Sequence, residues 1–292
     1  MNTTAAAAPS LAVIDELDWW ALKQAAMRAA VELDIFTAIA AGHGTLEAIA
    51  AAVGASKRGT RIVLDALCPV GLLCKTQGAY TLTPTADAFL VRGKPTCIAD
   101  AYLAFWRSRD RLAEAVRTGK PTLDIPGPQA EELWANLTGS ELLAWPHGAE
   151  TARERWAQLG ITGETRRGLH ILDVACGSGV GSFALAQMDP TARVTALDLP
   201  KVLAVAAQVA EQMGVRDQVT FCPGDLRTAE FPAGQFDVAL FGSILYYFNR
   251  DTVMAVLRKA HQTLKGGGIV VIRTFIADEE RAGRLCQSVP AS

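Results

Sequence analysis

The chain has 292 residues, half of them apolar, and its 28 Lys and Arg against 30 Asp and Glu give a formal net charge of −2. This composition is typical of a folded globular protein, and the length suits one large domain or two modest ones. A nearly neutral chain has no strong overall field for a nucleic-acid backbone or an anionic membrane. A small organic ligand is therefore the expected partner.

Targeting, membrane and metal signals are weak throughout the sequence. The uncharged apolar run Val238–Phe248 is far shorter than the roughly 20 residues that a membrane-spanning helix needs. The N-terminus has no basic region, and Asp15, Glu16 and Asp18 follow its Ala run, which is unlike a signal peptide. The six cysteines are scattered without a CxxC pair, so neither a disulfide framework nor a metal site is indicated. These features predict a cytoplasmic protein.

The first 90 residues predict a helical domain with a winged-helix pattern. From Leu17 to about Leu90 the sequence indicates three short helices. Thr45 can cap one helix that stops near Gly54, and Ser56 precedes another that ends at Gly71. The stretch LLCKTQGAYTLTP then predicts two short strands about a Gln-Gly turn.

A winged helix also suggests DNA binding, because its second helix can enter the major groove. Lys57, Arg58 and Arg61 do lie at the start of that helix. Glu47 and Asp65 offset them, however, and no basic wing follows. Nucleic acid is therefore an unlikely partner.

The second half of the chain predicts a parallel sheet. Residues 97–165 indicate further helices, interrupted by a proline-rich loop at Gly119–Pro128. From His170 apolar runs alternate with helical segments, a pattern typical of a parallel sheet covered on both faces. The predicted strands are HILDVA, ARVTALD, QVTFC, FDVALFG and GIVVIRTF. Ligands of such sheets bind beyond the carboxyl ends of the strands, where the strand order reverses.

The first of these strands leads into the glycine-rich turn DVACGSGVG. Gly177 and Gly179 allow the backbone to approach a ligand closely, although such a turn alone is often only structural. A nicotinamide fingerprint would need glycine in place of Ser182. Asp173 would repel a pyrophosphate, whereas it suits a cationic amine such as that of S-adenosylmethionine. Cys176 is interpreted as a small residue admitted by tight packing rather than as a nucleophile.

An acidic residue also follows each of the next two strands. Asp198 ends the second strand 19 residues after Gly179, where it can accept hydrogen bonds from both hydroxyls of a ribose. In the sequence CPGDL, Asp225 can accept from an adenine amino group and Leu226 can pack on the ring. Three acids after three successive strands are hard to explain by packing alone.

These motifs carry a family resemblance. Residues 166 to about 282 resemble a class I S-adenosylmethionine-dependent methyltransferase, and the whole chain is similar to small-molecule O-methyltransferases with an N-terminal winged-helix dimerisation domain. The matching segments are LDVACGSG, LDLP, GDL, FDVALFGSILYYFNRD and LKGGGIVVIRTF, with ELDIFTAIA and TPTADAFL in the N-terminal half.

The resemblance implies an α/β fold with a dimerisation domain at 1–120, a helical linker at 121–165 that contributes to the substrate pocket, and a Rossmann-like cofactor domain at 166–292. It also implies S-adenosylmethionine as cofactor, a homodimer through the N-terminal domain, and a small hydrophobic or aromatic metabolite as acceptor.

The resemblance further implies which residues form the site. The cofactor residues are Asp173, Gly177, Gly179, Asp198, Leu199, Asp225 and Leu226. The helical segment that contains Trp145 and the loop that contains Tyr246 and Tyr247 would contact the substrate.

One departure from the family concerns the general base. Members that methylate a phenolic hydroxyl usually carry a histidine in a Leu-His-x-aromatic pattern. Here Tyr246 takes its place, and a tyrosine with a pKa of about 10 is a poor base. Three interpretations follow: a nucleophile that needs little deprotonation, including carbon, sulfur or nitrogen; His147 as the base; or a structural or regulatory protein that binds the cofactor without transferring a methyl group.

The C-terminal sequence departs as well. The sheet of the family has seven strands, and the fifth predicted strand ends near Phe275. The 17 residues Ile276–Ser292 are fewer than the roughly 25–30 that a helix, turns and two strands need. We therefore predict that the final helix and antiparallel strand pair are missing and that one edge of the sheet is exposed.

Overall fold

A computed structural model gives the fold and describes residues 10–123, 125, 130–231 and 233–275. The chain divides into two compact units, Met1–Leu123 and Asp124–Ser292. Within the described ranges, no helix combines the length and the apolar character needed to cross a bilayer. The predicted loss of the last elements concerns residues 276–292, which lie outside the described residues, and so does part of the proline-rich loop.

The described part of the first unit contains seven helices and a hairpin. The helices are α1 (Ala12–Glu32), α2 (Ile35–Ala40), α3 (Leu46–Ala52), α4 (Lys57–Leu67), α5 (Pro84–Leu90), α6 (Ala99–Asp110) and α7 (Leu112–Thr118), and the strands are β1 (Leu73–Thr76) and β2 (Ala79–Leu82). The expectation of three short helices before Leu90 is wrong, because five form there. Asp34 adopts a φ of 60° that separates α1 from α2, and the Thr83 hydroxyl caps the additional helix α5.

The winged-helix pattern is present in this unit, with the predicted cap at Thr45 and a second cap at Ser56. The Thr45 side chain accepts a hydrogen bond from the Ala48 amide, and Ser56 accepts one from the Gly59 amide. Strands β1 and β2 pair in antiparallel fashion. The turn between them places Gln77 at a φ of 51° and Gly78 at 83°, as the favoured two-residue hairpin turns require.

The second unit contains the sheet. Its helices are α8 (Ala130–Gly139), α9 (Glu141–Gln158), α10 (Val180–Met188), α11 (Pro200–Gln212) and α12 (Arg250–Thr263), and its strands are β3 (His170–Val174), β4 (Arg193–Asp198), β5 (Val219–Pro223), β6 (Phe236–Gly242) and β7 (Leu264–Arg273). All five predicted strands are confirmed. They pair in parallel in the order β5-β4-β3-β6-β7.

This order brings the carboxyl ends of the strands to one edge. The chain builds β3, β4 and β5 outward, then crosses to β6 and β7 on the other side of β3. Asp173 near the end of β3 is paired with Leu240 of β6, and Gly242 of β6 is paired with Arg273 of β7. The strand order thus reverses between β3 and β6, where ligands of such sheets bind.

Apolar side chains cover both faces of the sheet. One face, with Ile171 and Val238, packs against α9, α10 and α11 through residues such as Phe183. The other face, with Leu172 and Phe241, packs against α12. The Trp156 indole donates a 2.7 Å hydrogen bond to the Gly181 carbonyl and so ties α9 to α10. Within the described residues β7 pairs only with β6.

Candidate active site

A cavity of about 540 Å³ opens at the carboxyl edge of the sheet. Its walls come from the loops after β3, β4, β5 and β6, from α8 and the start of α9, and from Arg273 at the end of β7. This volume lies within the range of small-molecule sites.

The cavity brings together most of the residues that the sequence singled out. Those that line it are Gly177, Asp198, Leu199, Asp225, Leu226, Tyr246 and Tyr247. The other four, Asp173, Gly179, Trp145 and His147, are not among the lining residues.

The glycine-rich turn is held in a left-handed backbone conformation. Ala175, directly after β3, has a φ of 55°, and Gly177 and Gly179 have values of 57° and 75°. Gly179 precedes the first residue of α10, and a Cβ added there would lie 2.2 Å from the Phe183 ring. Gly179 therefore packs directly against the Phe183 ring, whereas Gly177 lines the cavity.

Asp198 links the turn to the end of β4. Its carboxylate accepts hydrogen bonds from the Gly177 amide at 2.8 Å and from the Leu199 amide at 2.7 Å, one on each oxygen. Burial raises the pKa of Asp198 to about 6, against the effect of these two backbone donors. Because a carboxylate oxygen can accept two hydrogen bonds, each oxygen retains capacity for a ligand hydroxyl.

Asp225 is arranged differently, because Arg227 already binds it. The Arg227 side chain forms an ion pair with the Asp225 carboxylate, and the Arg227 amide donates to it at 2.8 Å. The side-chain hydrogen bond from Arg227 lowers the pKa of Asp225. Leu226, between them, is buried and lines the cavity.

Asp173 lies beneath the turn rather than in the cavity wall. The residue is only 3% exposed, and its carboxyl group accepts a 2.6 Å hydrogen bond from the Ser182 hydroxyl. Burial raises the pKa of Asp173 to about 7. The predicted direct contact between Asp173 and a ligand amine is therefore not visible in the cavity lining.

We expect Asp173 to make stability depend on pH. The unfolded chain ionises this carboxyl near its usual pKa of about 4, whereas the folded chain retains the proton up to about pH 7. The folded state binds more protons in this window, so its stability falls as pH rises. The free energy of unfolding of the wild type, relative to Asp173→Asn, should fall by about 2 kcal/mol between about pH 5 and pH 7. Urea denaturation of both proteins measures this, and parallel pH profiles would contradict it.

An aromatic wall forms the side of the cavity next to β6. Tyr246 and Tyr247 lie in a 3₁₀ turn after β6, with ring centroids 4.4 Å apart. Trp134 of α8 packs edge-on against Tyr247 at 5.0 Å. Burial raises the pKa of Tyr247, so its hydroxyl stays protonated and can donate a hydrogen bond.

The predicted histidine base and the neighbouring tryptophan lie elsewhere. His147 is exposed on α9, and Trp145 packs against the core on the α9 face of the sheet. The two residues are separated by about 200° around the helix, so no rotation of α9 could turn both into the cavity. Histidine is absent from the described lining of the cavity.

Glu141 and Arg273 are lining residues that the sequence did not single out. Glu141 begins α9, and burial raises the pKa of its carboxyl group while the positive charge of Arg273 opposes that shift. The sequence signal that could have identified Arg273 is its position at the end of a strand, as for Asp198.

Burial also raises the pKa of the Cys176 thiol well above its usual range. The sulfur is thus kept protonated and is a weak nucleophile, in line with its interpretation as a packing residue. The five cysteines of the described residues are free.

A glycine turn and a strand-end carboxylate on one side of the cavity, with an aromatic wall on the other, fit a class I S-adenosylmethionine-dependent methyltransferase. Residues 171–268 match the methyltransferase domain family, and residues 20–92 match the O-methyltransferase dimerisation domain.

Relatives of known activity agree with this class. The chain is 30% identical to the tetracenomycin polyketide synthesis 8-O-methyl transferase TcmO of Streptomyces glaucescens, over 88% of this chain and 76% of that protein. It is 28% identical to the 3-hydroxy-5-methyl-1-naphthoate 3-O-methyltransferase of Streptomyces sahachiroi, with coverage of 89% and 76%. Another relative is the L-tyrosine C(3)-methyltransferase of Streptomyces lavendulae, at 27% identity and coverage of 88% and 72%.

Among solved structures, the O-methyltransferase NcsB1 from neocarzinostatin biosynthesis is 25% identical, with a TM-score of 0.59 and coverage of 85% of this chain and 78% of that one. It was crystallised with S-adenosylmethionine and 2-hydroxy-5-methyl naphthoic acid. The protein therefore belongs to the S-adenosylmethionine-dependent small-molecule O-methyltransferase family.

Proposed function

We propose that the protein transfers a methyl group from S-adenosylmethionine to a hydroxyl oxygen of a small aromatic metabolite. The observation that carries this proposal is that Asp198 and the aromatic wall of Trp134, Tyr246 and Tyr247 face the same cavity.

The residues on the β3 and β4 side fit the cofactor. Each oxygen of Asp198 keeps a lone pair for a ribose hydroxyl, because only one backbone amide donates to it. Leu226 supplies an apolar surface for the adenine, beside the Asp225 carboxylate. Gly177 leaves room for the methionine end, since a Cβ added there would meet open space. Asp173 does not line the cavity. Its hydrogen bond from the Ser182 hydroxyl fixes the glycine-rich turn instead.

S-adenosylmethionine supplies a methyl group bonded to a positively charged sulfur. The role of the protein on the acceptor side is to place the nucleophilic oxygen in line with that bond, which accelerates the reaction through proximity and alignment. Tyr247 can orient the acceptor through its hydroxyl donor, and the side chains of the aromatic wall can pack against an aromatic ring. The oxygen forms a bond to the methyl carbon as the carbon–sulfur bond breaks, and the hydroxyl proton passes to solvent.

A transfer experiment tests this proposal. The protein is incubated with trideuteromethyl S-adenosylmethionine and a panel of hydroxylated aromatic compounds, and the products are analysed by mass spectrometry. The proposal predicts a mass increase of one trideuteromethyl group on at least one phenolic compound. Labelling only at carbon would point to chemistry like that named for the Streptomyces lavendulae relative.

The alternative is a protein that binds the cofactor without transferring the methyl group. The absence of histidine from the described cavity lining favours it, since histidine is the usual general base of this family. Calorimetry separates the two: strong binding of S-adenosylmethionine without transfer to any compound supports the alternative, and absence of binding contradicts both.

We also propose that the protein forms a homodimer through its N-terminal unit. The match of residues 20–92 to the dimerisation domain supports it, and so do the exposed apolar side chains along α1. These include Val13, Ile14, Leu17, Trp19, Trp20 and Leu22.

The double variant Leu17→Glu with Trp20→Glu is expected to be monomeric, because it places charges on this apolar surface of α1. Light scattering after size-exclusion chromatography measures the mass. Val116→Glu is the matched control, since Val116 is an exposed apolar residue of the same unit outside α1. A dimer that survives the double substitution would contradict the use of α1.

A further inference from the structure

Arg273 is a cation in the cavity that the proposed methyl transfer does not use. It ends β7, next to Gly242 of β6, and its Nη2 atom would lie 3.7 Å from a Cβ added at Gly242. The Ser243 amide donates a 2.7 Å hydrogen bond to the Arg273 carbonyl, which fixes the backbone of Arg273 against the loop after β6.

The guanidinium of Arg273 is available to a ligand. Within the described residues its side chain forms no hydrogen bond and no ion pair, although it lines the cavity. Arg227, the other lining arginine, is engaged with Asp225. Glu141 and Asp173 are near enough to sense the charge of Arg273, without direct contact.

Arg273 lies on the acceptor side of the cavity. Strands β3 and β6 separate β7 from β4, so at about 4.8 Å per strand step the ends of β4 and β7 are about 14 Å apart. The ribose proposed to bind Asp198 therefore lies toward the opposite end of the cavity from Arg273. Phe275, two residues after Arg273, contacts the Tyr246 ring with a centroid distance of 5.9 Å. The free cation and the aromatic wall thus occupy one end of the cavity.

We infer that the acceptor is an aromatic carboxylate, whose ring packs against Trp134, Tyr246 and Tyr247 and whose carboxylate binds Arg273. Arginine suits this role, because its planar guanidinium matches a carboxylate with two parallel hydrogen bonds. This inference rests on the proposed function and adds the chemical class of its substrate. It makes Arg273 a residue that determines specificity, and the methyl group still goes to a ring hydroxyl.

Binding of matched aromatic pairs tests the inference. The probes are 3-hydroxy-2-naphthoate against 2-naphthol and salicylate against phenol, titrated by calorimetry into the full chain saturated with S-adenosylhomocysteine. We expect the wild type to prefer at least one acid over its neutral partner by about tenfold or more, as a hydrogen-bonded ion pair allows. Arg273→Gln should abolish that preference and leave the affinity for the neutral partner and for S-adenosylhomocysteine unchanged.

Two controls separate charge from geometry and from folding. Arg155→Gln removes a positive charge near Arg273 but outside the cavity lining, and it should keep the preference. Arg273→Lys keeps the charge without the planar fork and should retain only part of it.

Several outcomes would overturn the inference. One is a wild type that binds acids and neutral partners alike, or binds none of them. Another is an Arg273→Gln variant that loses affinity for S-adenosylhomocysteine. That result would indicate that Arg273 binds the carboxylate of the cofactor rather than that of the acceptor. In these cases the proposed function stands as long as S-adenosylhomocysteine binds the wild type. Loss of cofactor binding by the wild type itself would instead contradict the proposed function.

Discussion

Asp198→Asn is expected to lower the affinity for S-adenosylmethionine by about tenfold to hundredfold, because hydrogen bonds to a buried carboxylate contribute about 1.5–3 kcal/mol each. In the wild type the Asp198 oxygens face two backbone amides. An asparagine has only one acceptor oxygen, and its NH₂ group is a donor. That NH₂ group must therefore face one of those two amides or the ribose, in place of an accepting oxygen. Calorimetry at about pH 8, where Asp198 is ionised in the wild type, measures the change.

The matched control is Asp237→Asn. Asp237 also accepts a hydrogen bond from a backbone amide, that of His170, at 2.8 Å, and it belongs to the same sheet. It stands at the start of β6, at the opposite edge from the cavity. Asp237→Asn should therefore bind S-adenosylmethionine as the wild type does. Equal losses in both variants would show that a general destabilisation, rather than a ribose contact, explains the effect.

Gly179→Ala is expected to destabilise the second unit by about 3 kcal/mol, by combining a left-handed backbone penalty with overpacking. The added Cβ would lie 2.2 Å and 2.3 Å from atoms of the Phe183 ring. Phe183 belongs to α10 and is fully buried in the core on this face of the sheet. Its ring therefore has little freedom to move aside.

Gly177→Ala isolates the backbone part of that effect. Its φ of 57° is similarly left-handed, but the Cβ meets open space. We expect a loss of only about 1 kcal/mol. Thermal or urea denaturation of both variants measures the difference, and equal destabilisation would mean that Phe183 accommodates the added methyl group.

The sheet and its carboxyl edge could be predicted because their signals are local. Strands buried on both faces read as apolar runs, and Asp198 could be placed because it is the last residue of such a run. The two helix caps, at Thr45 and Ser56, were equally local, since each depends on a hydroxyl and an amide three residues apart.

The positions of the other site residues depend on tertiary contacts, which the sequence alone does not specify. Asp173 lies near the end of β3 and Asp198 ends β4, yet Ser182 holds the first beneath the turn while the second faces the cavity. Arg273 shares the cavity with Tyr246 only because β7 pairs with β6 in a particular register. The face of α9 that points toward the cavity is set by its packing on α10, which brings Glu141 into the lining and leaves His147 exposed.

The location of the cofactor is the central claim, and a crystal structure of the protein with S-adenosylhomocysteine tests it most directly. We predict that the ribose hydroxyls contact the Asp198 carboxylate, that the adenine lies against Leu226 near Asp225, and that the sulfur points toward Tyr246 and Tyr247. A ligand bound elsewhere, or a ribose that makes no contact with Asp198, would contradict it.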